Sequence, residues 1–301
     1  MKYRFILNGR KELEDMRKDI FAQLETIKKN SAITYDIETY VTTGMGDATR
    51  FVYVYCDLHP NEEVCFVACG GNGTVNEVAS GIVGFKNKSL GVLAYGLCND
   101  FSHYYSEHSF KDVAALLKGT PTPIDIMKVN DNYFINVCNI GFNSVVCSSA
   151  IRMEDAKIIK PYYLGIIYAI LTARFNNISV YVDGEKIGGR KLLTCELSNG
   201  KFIGGEFTCA PKARMDDGLI DVTFVKPMFL STFVKALSLY STGSFLEHPK
   251  YSRKFIYRQV RRVEVKAKRL IELCLDGEML PGKNFVIEVL PKAITLILPS
   301  K

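Results

Sequence analysis

The sequence contains no Cys-x-x-Cys pair and no His-Glu-x-x-His run, and its four histidines stand apart at positions 59, 103, 108 and 248. A zinc centre is therefore not expected. The nine cysteines are an odd number, which no closed disulfide framework uses. They sit singly in apolar runs, as at Cys56, Cys138 and Cys195, and read as reduced core thiols of a cytosolic protein. Long hydrophobic runs are also lacking. Leu164 to Ala173, the most membrane-like stretch, is too short to span a bilayer and carries Gly165. The opening MKYRFILNGRKE turns polar too soon for a signal peptide. The expectation is a cytoplasmic protein, with peripheral contact at a membrane surface left open. Charge of one sign does not dominate: 38 basic against 32 acidic residues give +6, too little to imply nucleic acid. Internal repeats and low-complexity segments are absent.

What is there is a globular composition, 48% hydrophobic and 23% charged over 301 residues. That length suits two domains, each able to bury a core. The first 120 residues alternate. Tyr3–Leu7, Ile33–Val41, Val64–Cys69 and Gly91–Tyr95 read as strands, and VCFVAC is apolar enough to be buried on both faces. Between them, Lys11–Lys29 carries apolar residues at a helical spacing. Asp47–Leu58 and Phe110–Leu117 read as helices, and another follows the glycines after Cys69. Such alternation predicts a doubly wound, mostly parallel sheet. Gly119-Thr-Pro-Thr-Pro123 breaks the pattern and places a first boundary near residue 122.

Strands dominate thereafter. Ile124–Val129 and Tyr133–Asn139 flank the turn Asn130-Asp131-Asn132, and Ile178–Val182 runs into Asp183-Gly184. Val263, Val265 and Ala267 alternate with charged residues, the period of a half-exposed strand. Leu273–Leu275 enters the turn Asp276-Gly277. Helices are expected only near Tyr162–Arg174 and Phe229–Tyr240.

The strand VCFVAC leads into Gly70-Gly71-Asn72-Gly73-Thr74 and then Val75-Asn76-Glu77. A strand, glycine turn and helix present main-chain N–H groups to an anion at the carboxyl edge of a sheet. A tight turn without a ligand explains the same residues. Two familiar phosphate loops are excluded. No GxxxxGK[ST] occurs, and Asn76 stands where a dinucleotide fingerprint needs its third glycine.

GGNGTVNEVASGI resembles the GGDGTxNE signature of the diacylglycerol kinase-type lipid kinases, which are related to sphingosine kinases and NAD kinases. Further segments match that family in order. Thr42-Thr-Gly-Met-Gly-Asp47-Ala48 is similar to its T-x-x-x-G-D-A, and Gly91 to Phe101 to its P-x-G-T-x-N-D-F. Ile124-Asp125 and Phe134-Ile-Asn136 with Gly141-Phe142 resemble the entry to its second domain. Asn199-Gly200, Ala210 to Leu219 and Asp276-Gly277-Glu278 resemble its N-G, A-P-x-A-x-x-D-D-G-L and D-G-E segments. The resemblance covers nearly the whole chain.

It implies an α/β ATP-binding domain over residues 1–122 plus about 284–301. A β-sandwich lipid-substrate domain would span 123–283, with the active cleft between the two. It implies ATP and Mg²⁺ as cofactors. Thr42, Gly70, Gly71, Asn72, Gly73, Thr74, Val75, Asn76, Gly96, Leu97, Asn99 and Asp100 would contact the nucleotide. Asp217 and the main-chain oxygens of Arg214 and Leu219 would hold Mg²⁺. Glu278 would accept the proton of the lipid hydroxyl, with Asp276, Asn72 and Asp125 nearby. The residues themselves are compatible, because phosphoryl transfer is mostly positioning and charge neutralisation. Read alone, Asp216-Asp217-Gly218 is also an acidic turn, and Asp276-Gly277-Glu278 a hairpin corner.

Two departures stand out. Asn72 replaces the aspartate of GGDGT, and Leu97 replaces a threonine whose hydroxyl would face phosphate. Asparagine keeps the shape but neither takes a proton nor carries charge. A catalytically impaired nucleotide- or lipid-binding protein is therefore the alternative reading. Asn72-Gly73 is also a dipeptide that deamidates when mobile.

The expected partners are a lipid substrate and no nucleic acid, with a homodimer left open because strand edges cannot be seen in a sequence. Tyr162 to Arg174 is similar to an L-G-x-x-Y segment of the family. It suits a core helix or the lining of an acyl-chain cleft. From Lys250 to Arg269 nine residues are basic and one, Glu264, is acidic. That suits an anionic membrane surface or the solvated face of a sheet.

Overall fold

A strand that is apolar on both faces has to be covered on both, and Val64–Gly70 is buried at every position. It is one of the central strands in the computed structural model of the protein, which describes residues 1–30, 34–155, 161–172, 176–189, 191–205 and 207–301. Ile33, Ala173 and Arg174, at the ends of two expected elements, lie outside the described residues.

The chain divides into two compact units, Met1–Asp125 with Lys292–Lys301, and Ile126–Pro291. In the first, β1 (Lys2–Leu7), β2 (Asp36–Val41), β3 (Val64–Gly70) and β4 (Lys88–Ala94) are parallel, in the order β2-β1-β3-β4. The order reverses direction between β1 and β3, which makes the carboxyl ends of those strands the topological switch point. Helices α1 (Glu14–Asn30), α2 (Asp47–Leu58) and α3 (Asn72–Ile82) connect the strands, with α4 (Asp100–His103) and α5 (Val113–Leu117) after β4. Met16, Ile20 and Leu24 form the buried face of α1, joining Phe5, Leu7 and Val67 in the core.

The structure differs from the sequence expectation at three places here. Gly119 to Pro123 is not a loop, because β5 runs from Thr120 to Val129 with both prolines among its first four residues, where a strand tolerates a missing donor. The helix expected from Phe110 begins at Val113 as α5, since the Asp112 side chain accepts from Ala115 N–H and caps it there. Helix α3 begins at Asn72, so Gly71 alone joins it to β3.

The second unit contains β6 (Asn132–Phe134), β7 (Val137–Gly141), α6 (Phe142–Asp155), α7 (Pro161–Thr172), β8 (Asn176–Val182), β9 (Glu185–Ile187) and β10 (Lys191–Leu192). It continues through β11 (Thr194–Ser198), β12 (Phe202–Ile203), β13 (Phe207–Thr208), β14 (Ile220–Val225), α8 (Leu230–Thr242), β15 (Phe255–Val260) and β16 (Arg262–Leu275). The last strand, β17 (Glu278–Leu298), begins in this unit and ends in the first. Antiparallel pairing links β15-β14-β11-β7-β16-β17, and β8 pairs β16 at Val182 and Val263. The fold is thus an α/β domain with a parallel sheet followed by a strand-rich, β-sandwich-like domain. Met127, Phe134, Leu197, Phe224 and Phe285 lie in the sandwich core.

The expected strand Tyr133–Asn139 is interrupted at Ile135 and Asn136. Their N–H groups donate to a side chain, Asp276, rather than to a neighbouring strand. Helix α6 was not expected. Its Ser, Val, Cys and Asn content is poor in helix formers, and tertiary packing decides it. Phe142 and Val146 bury against Ala169 of α7.

Candidate functional site

Unit 1 brings the glycine turn, the segment after β1 and the loop after β4 together at the switch point. Fully buried β3 aims Gly70 at the N-terminus of α3, whose first N–H groups have no partner within the helix. Asn8, just beyond β1, donates its amide to Thr74 Oγ1 at 2.9 Å. Sequence reading missed Asn8, and only the fold's strand order could have pointed to it.

Glycine is required where two loops meet. A Cβ on Gly96 would lie 2.3 Å from Gly71 Cα, and one on Gly71 would lie 3.1 Å from Gly96 Cα. The Gly96 loop is held by Asn99, which sits at φ 50°. Asn99 Oδ1 accepts from Gly96 N–H at 2.7 Å, while its amide donates to Gly96 O at 2.8 Å. Leu97 projects from this loop, 65% exposed. Asn72 spans the two loops: Nδ2 donates to Asp100 at 2.7 Å, and Oδ1 accepts from Phe101 N–H at 3.4 Å. Asp100 and Asn76 are buried.

Thr42 belongs to the same edge. Its hydroxyl accepts from Gly9 N–H and its N–H donates to Leu7 O. The adjoining Asp47 takes donors from Arg50, Thr43 and Tyr40. These hold its carboxyl well below the usual carboxylate range, Arg50 contributing most. Glu77 of α3 accepts from Ala48 N–H at 3.0 Å, tying α2 to α3. Asp125 is fully buried, and its carboxylate accepts Lys292 N–H at 2.7 Å.

Unit 2 gathers the remaining candidates. Asp276 and Gly277 take φ of 48° and 100° in the turn between β16 and β17, a conformation that Asp and Gly tolerate. The Asp276 carboxylate accepts three main-chain N–H groups, from Ile135 at 2.7 Å, Asn136 at 3.0 Å and Val137 at 2.8 Å. Asn136 in turn receives Asn199 N–H and Gly200 N–H on its carbonyl, at 2.8 and 3.1 Å. Glu278 follows the turn, half-buried, as the first residue of β17 opposite Leu275.

The Arg214–Leu219 loop is anchored by buried Ala213 and Met215. Asp217 Oδ1 accepts Leu219 N–H at 3.0 Å, and Arg214 pairs with Asp216 at 3.3 Å. The donor set expected here, one carboxylate with main-chain carbonyls, is all oxygen and chemically suits a hard cation. Among the described residues, no group of three or more His, Cys, Asp or Glu side chains is positioned to hold a metal ion. Behind the loop, Tyr257 donates to Asp221, whose carboxyl burial pushes up to about 6, and accepts Lys212 N–H at 3.3 Å.

One buried acid was not singled out from the sequence. Glu196 of β11 is fully buried, and burial raises its carboxyl to about 7. Asn143 Nδ2 and Thr194 Oγ1 both donate to its Oε1 at 2.6 Å. The basic stretch is partly neutralised, with Arg262 paired to Glu288 and Lys266 to Glu264. Among the described residues, no helix is long and apolar enough to cross a membrane.

Comparison with known proteins agrees with the fold. Residues 2–129 match the family model of the diacylglycerol kinase catalytic domain, and residues 136–298 that of the YegS C-terminal NAD kinase beta sandwich-like domain. A probable lipid kinase YegS-like of Klebsiella pneumoniae is 32% identical, covering 88% of this chain and 86% of that protein. Another from Yersinia enterocolitica is 30% identical over 98% of this chain and 96% of its own. The diacylglycerol kinase of Bacillus subtilis is 28% identical over 86% of each. A solved structure of a putative diacylglycerol kinase from Bacillus anthracis has the same fold, with a TM-score of 0.76 at 23% identity, covering 99% of this chain and 95% of that one.

Proposed function

Because the chain belongs to the lipid kinase family defined by a diacylglycerol kinase catalytic domain and a YegS-type C-terminal domain, we propose that it transfers the γ-phosphoryl group of ATP to the hydroxyl of a diacylglycerol-like lipid at a membrane surface. The observation that carries this reading is the close approach of Gly71 and Gly96 beside the N-terminus of α3. That cradle excludes a Cβ and turns main-chain donors toward an anion.

In this reading the Gly70–Asn76 and Gly96–Asp100 segments hold the nucleotide phosphates, with Thr42 at their border. Asp217 and the carbonyls of Arg214 and Leu219 would hold Mg²⁺, which would supply neutralising charge for the phosphate oxygens. Glu278 takes the proton of the attacking hydroxyl. Asp276 has three main-chain donors on its carboxylate, so it positions the Glu278 turn rather than exchanging protons. Asp125 likewise fixes the return of the chain at Lys292.

A second reading has one observation in its favour. Asn72 gives its amide to Asp100, so the loop carries one carboxylate fewer than the family signature. This describes a protein that binds nucleotide or lipid without efficient transfer. Transfer of labelled phosphate from ATP to a mixed lipid extract with Mg²⁺ decides between them. Label in an extracted lipid is the expected result. Tight ATP binding with no labelled lipid, in extract or with pure diacylglycerol, favours the second reading.

A further inference from the structure

The main antiparallel sheet of the second unit has two chemically different ends. At one, Val137 lies opposite Ser198, Ser198 opposite Asp221, and Cys138 opposite Leu275. The loops leaving this end carry Asp276 and Asp217, with Glu278 opening β17 just past the turn. At the other, Gly141 lies opposite Thr194, Thr194 opposite Val225, and Val225 opposite Phe255.

What leaves the second end is apolar and basic. Strand β16 passes it three residues before Leu273, which faces Ile140, through a bulge between Lys266 and Ile271. There Lys268, Arg269 and Leu270 are all exposed, Leu270 to 67%. Beyond Val225, Lys226 N–H donates to Lys254 O and Lys226 Nζ to Arg253 O. Phe229 follows, the most exposed large apolar side chain of the described residues at 85%. From β7, which lies between β11 and β16, α6 emerges and is tied to the bulged strand by Ser144 Oγ donating to Glu272 O at 2.7 Å. Helix α7 packs on α6 with Gly165 against Val146. Its other side leaves Leu164, Ile167 and Tyr168 exposed.

We infer that this end of the sheet is a membrane-docking face, which sets Leu270 and Phe229 into the acyl region of an anionic bilayer while the flanking cations meet headgroup phosphates. The inference rests on the reading that the substrate is a bilayer lipid. Charge selects the occupant. Lys268 and Arg269 directly precede Leu270, and Lys226 lies three residues before Phe229, against one exposed acid, Glu272, two residues after Leu270. Protruding apolar side chains flanked by cations suit a fluid acceptor, which closes around them without a preformed pocket. Val137 and Gly141 end the five-residue β7, four strand steps or about 13 Å apart. Docking at the Gly141 end therefore requires a lipid to be drawn partly out of the bilayer to present its hydroxyl at the Asp276 end.

The chain has no tryptophan, so a single introduced indole reports on one position. Leu270→Trp and Phe229→Trp should each show a blue-shifted emission with phosphatidylcholine vesicles containing phosphatidylglycerol, and quenching by brominated acyl chains. Tyr53→Trp, an exposed position in the first unit, should show neither. Co-sedimentation of wild type should need phosphatidylglycerol. Lys268→Gln with Arg269→Gln should weaken it by roughly 25-fold, about fivefold per charge removed. Failure of wild type to sediment with these vesicles, or unshifted emission at both 270 and 229, overturns the inference. The measurements contain no ATP, so they fail independently of the kinase reading, which phosphorylation of lipid in detergent micelles tests without docking.

Discussion

The Asn72 amide donates to the Asp100 carboxylate at 2.7 Å, across the two loops that Gly71 and Gly96 bring into contact. Replacing Asn72 by Asp removes that bond and sets two carboxylates against each other. One of them then holds a proton near neutral pH. The variant is expected to be less thermostable than wild type and to transfer phosphate about 10²- to 10⁴-fold faster, the usual worth of an acid–base group. Steady-state kinetics and a thermal melt on the same preparation check both signs.

The same contact bears on chemical lifetime. Asn72-Gly73 deamidates when its backbone is free to bend toward the side chain, but here it is the first turn of α3 and the side chain is held at both atoms. Peptide mapping after prolonged incubation at pH 8 should find Asn72 intact in the folded protein and converted in the denatured one.

Asp276 and Glu278 are two residues apart and should behave oppositely. Asp276→Asn turns an amide toward three buried N–H donors and should cost about 2 to 4 kcal/mol. Glu278→Gln should leave stability within about 0.5 kcal/mol while lowering transfer by about 10²–10⁴. Chemical denaturation beside activity separates the two. Loss of stability in Glu278→Gln instead would mean that both acids serve the turn.

Two glycines of the nucleotide-domain motifs are expected to differ in the same manner. Gly96→Ala forces a methyl against Gly71 backbone and should destabilise by about 1 to 3 kcal/mol. Gly44→Ala meets nothing within 4 Å and should be neutral. Melts of the two variants and their ATP affinities are the check.

Glu196 predicts a pH dependence. Its folded value of about 7 lies above the ordinary 4.5, so the folded protein holds the extra proton between them. Its contribution to stability is therefore complete below about pH 4.5 and is lost as pH rises through 7, by up to about 3 kcal/mol. Glu196→Gln cannot ionise and should lose less stability over that window, read as a flatter curve of Tm against pH.

Much of this was legible in the sequence because the signals are local. The strand before Gly70 is apolar throughout, and the α1 face repeats at helical spacing. Asp276-Gly277 needs only its own backbone preference to make a corner. What escaped depends on distant partners. Helix α6 exists because Phe142 and Val146 find Ala169, against the preferences of its own residues. Strand β7 starts only at Val137 because the distant Asp276 carboxylate draws off the N–H groups of Ile135 and Asn136. Asn8 reaches Thr74 only once β1 and β3 are neighbours, and Glu196 looks like any strand acid until α6 supplies Asn143.

Strand β17 ends beside β4, with Leu296 opposite Leu90, and the whole of the second unit is translated between those two residues. On the ribosome, the first unit must wait with one border of its sheet bare while the sandwich emerges. Its nascent β4 is then an open template for any passing strand, including that of another nascent chain. Lys292, whose N–H closes on Asp125, is where the wait ends.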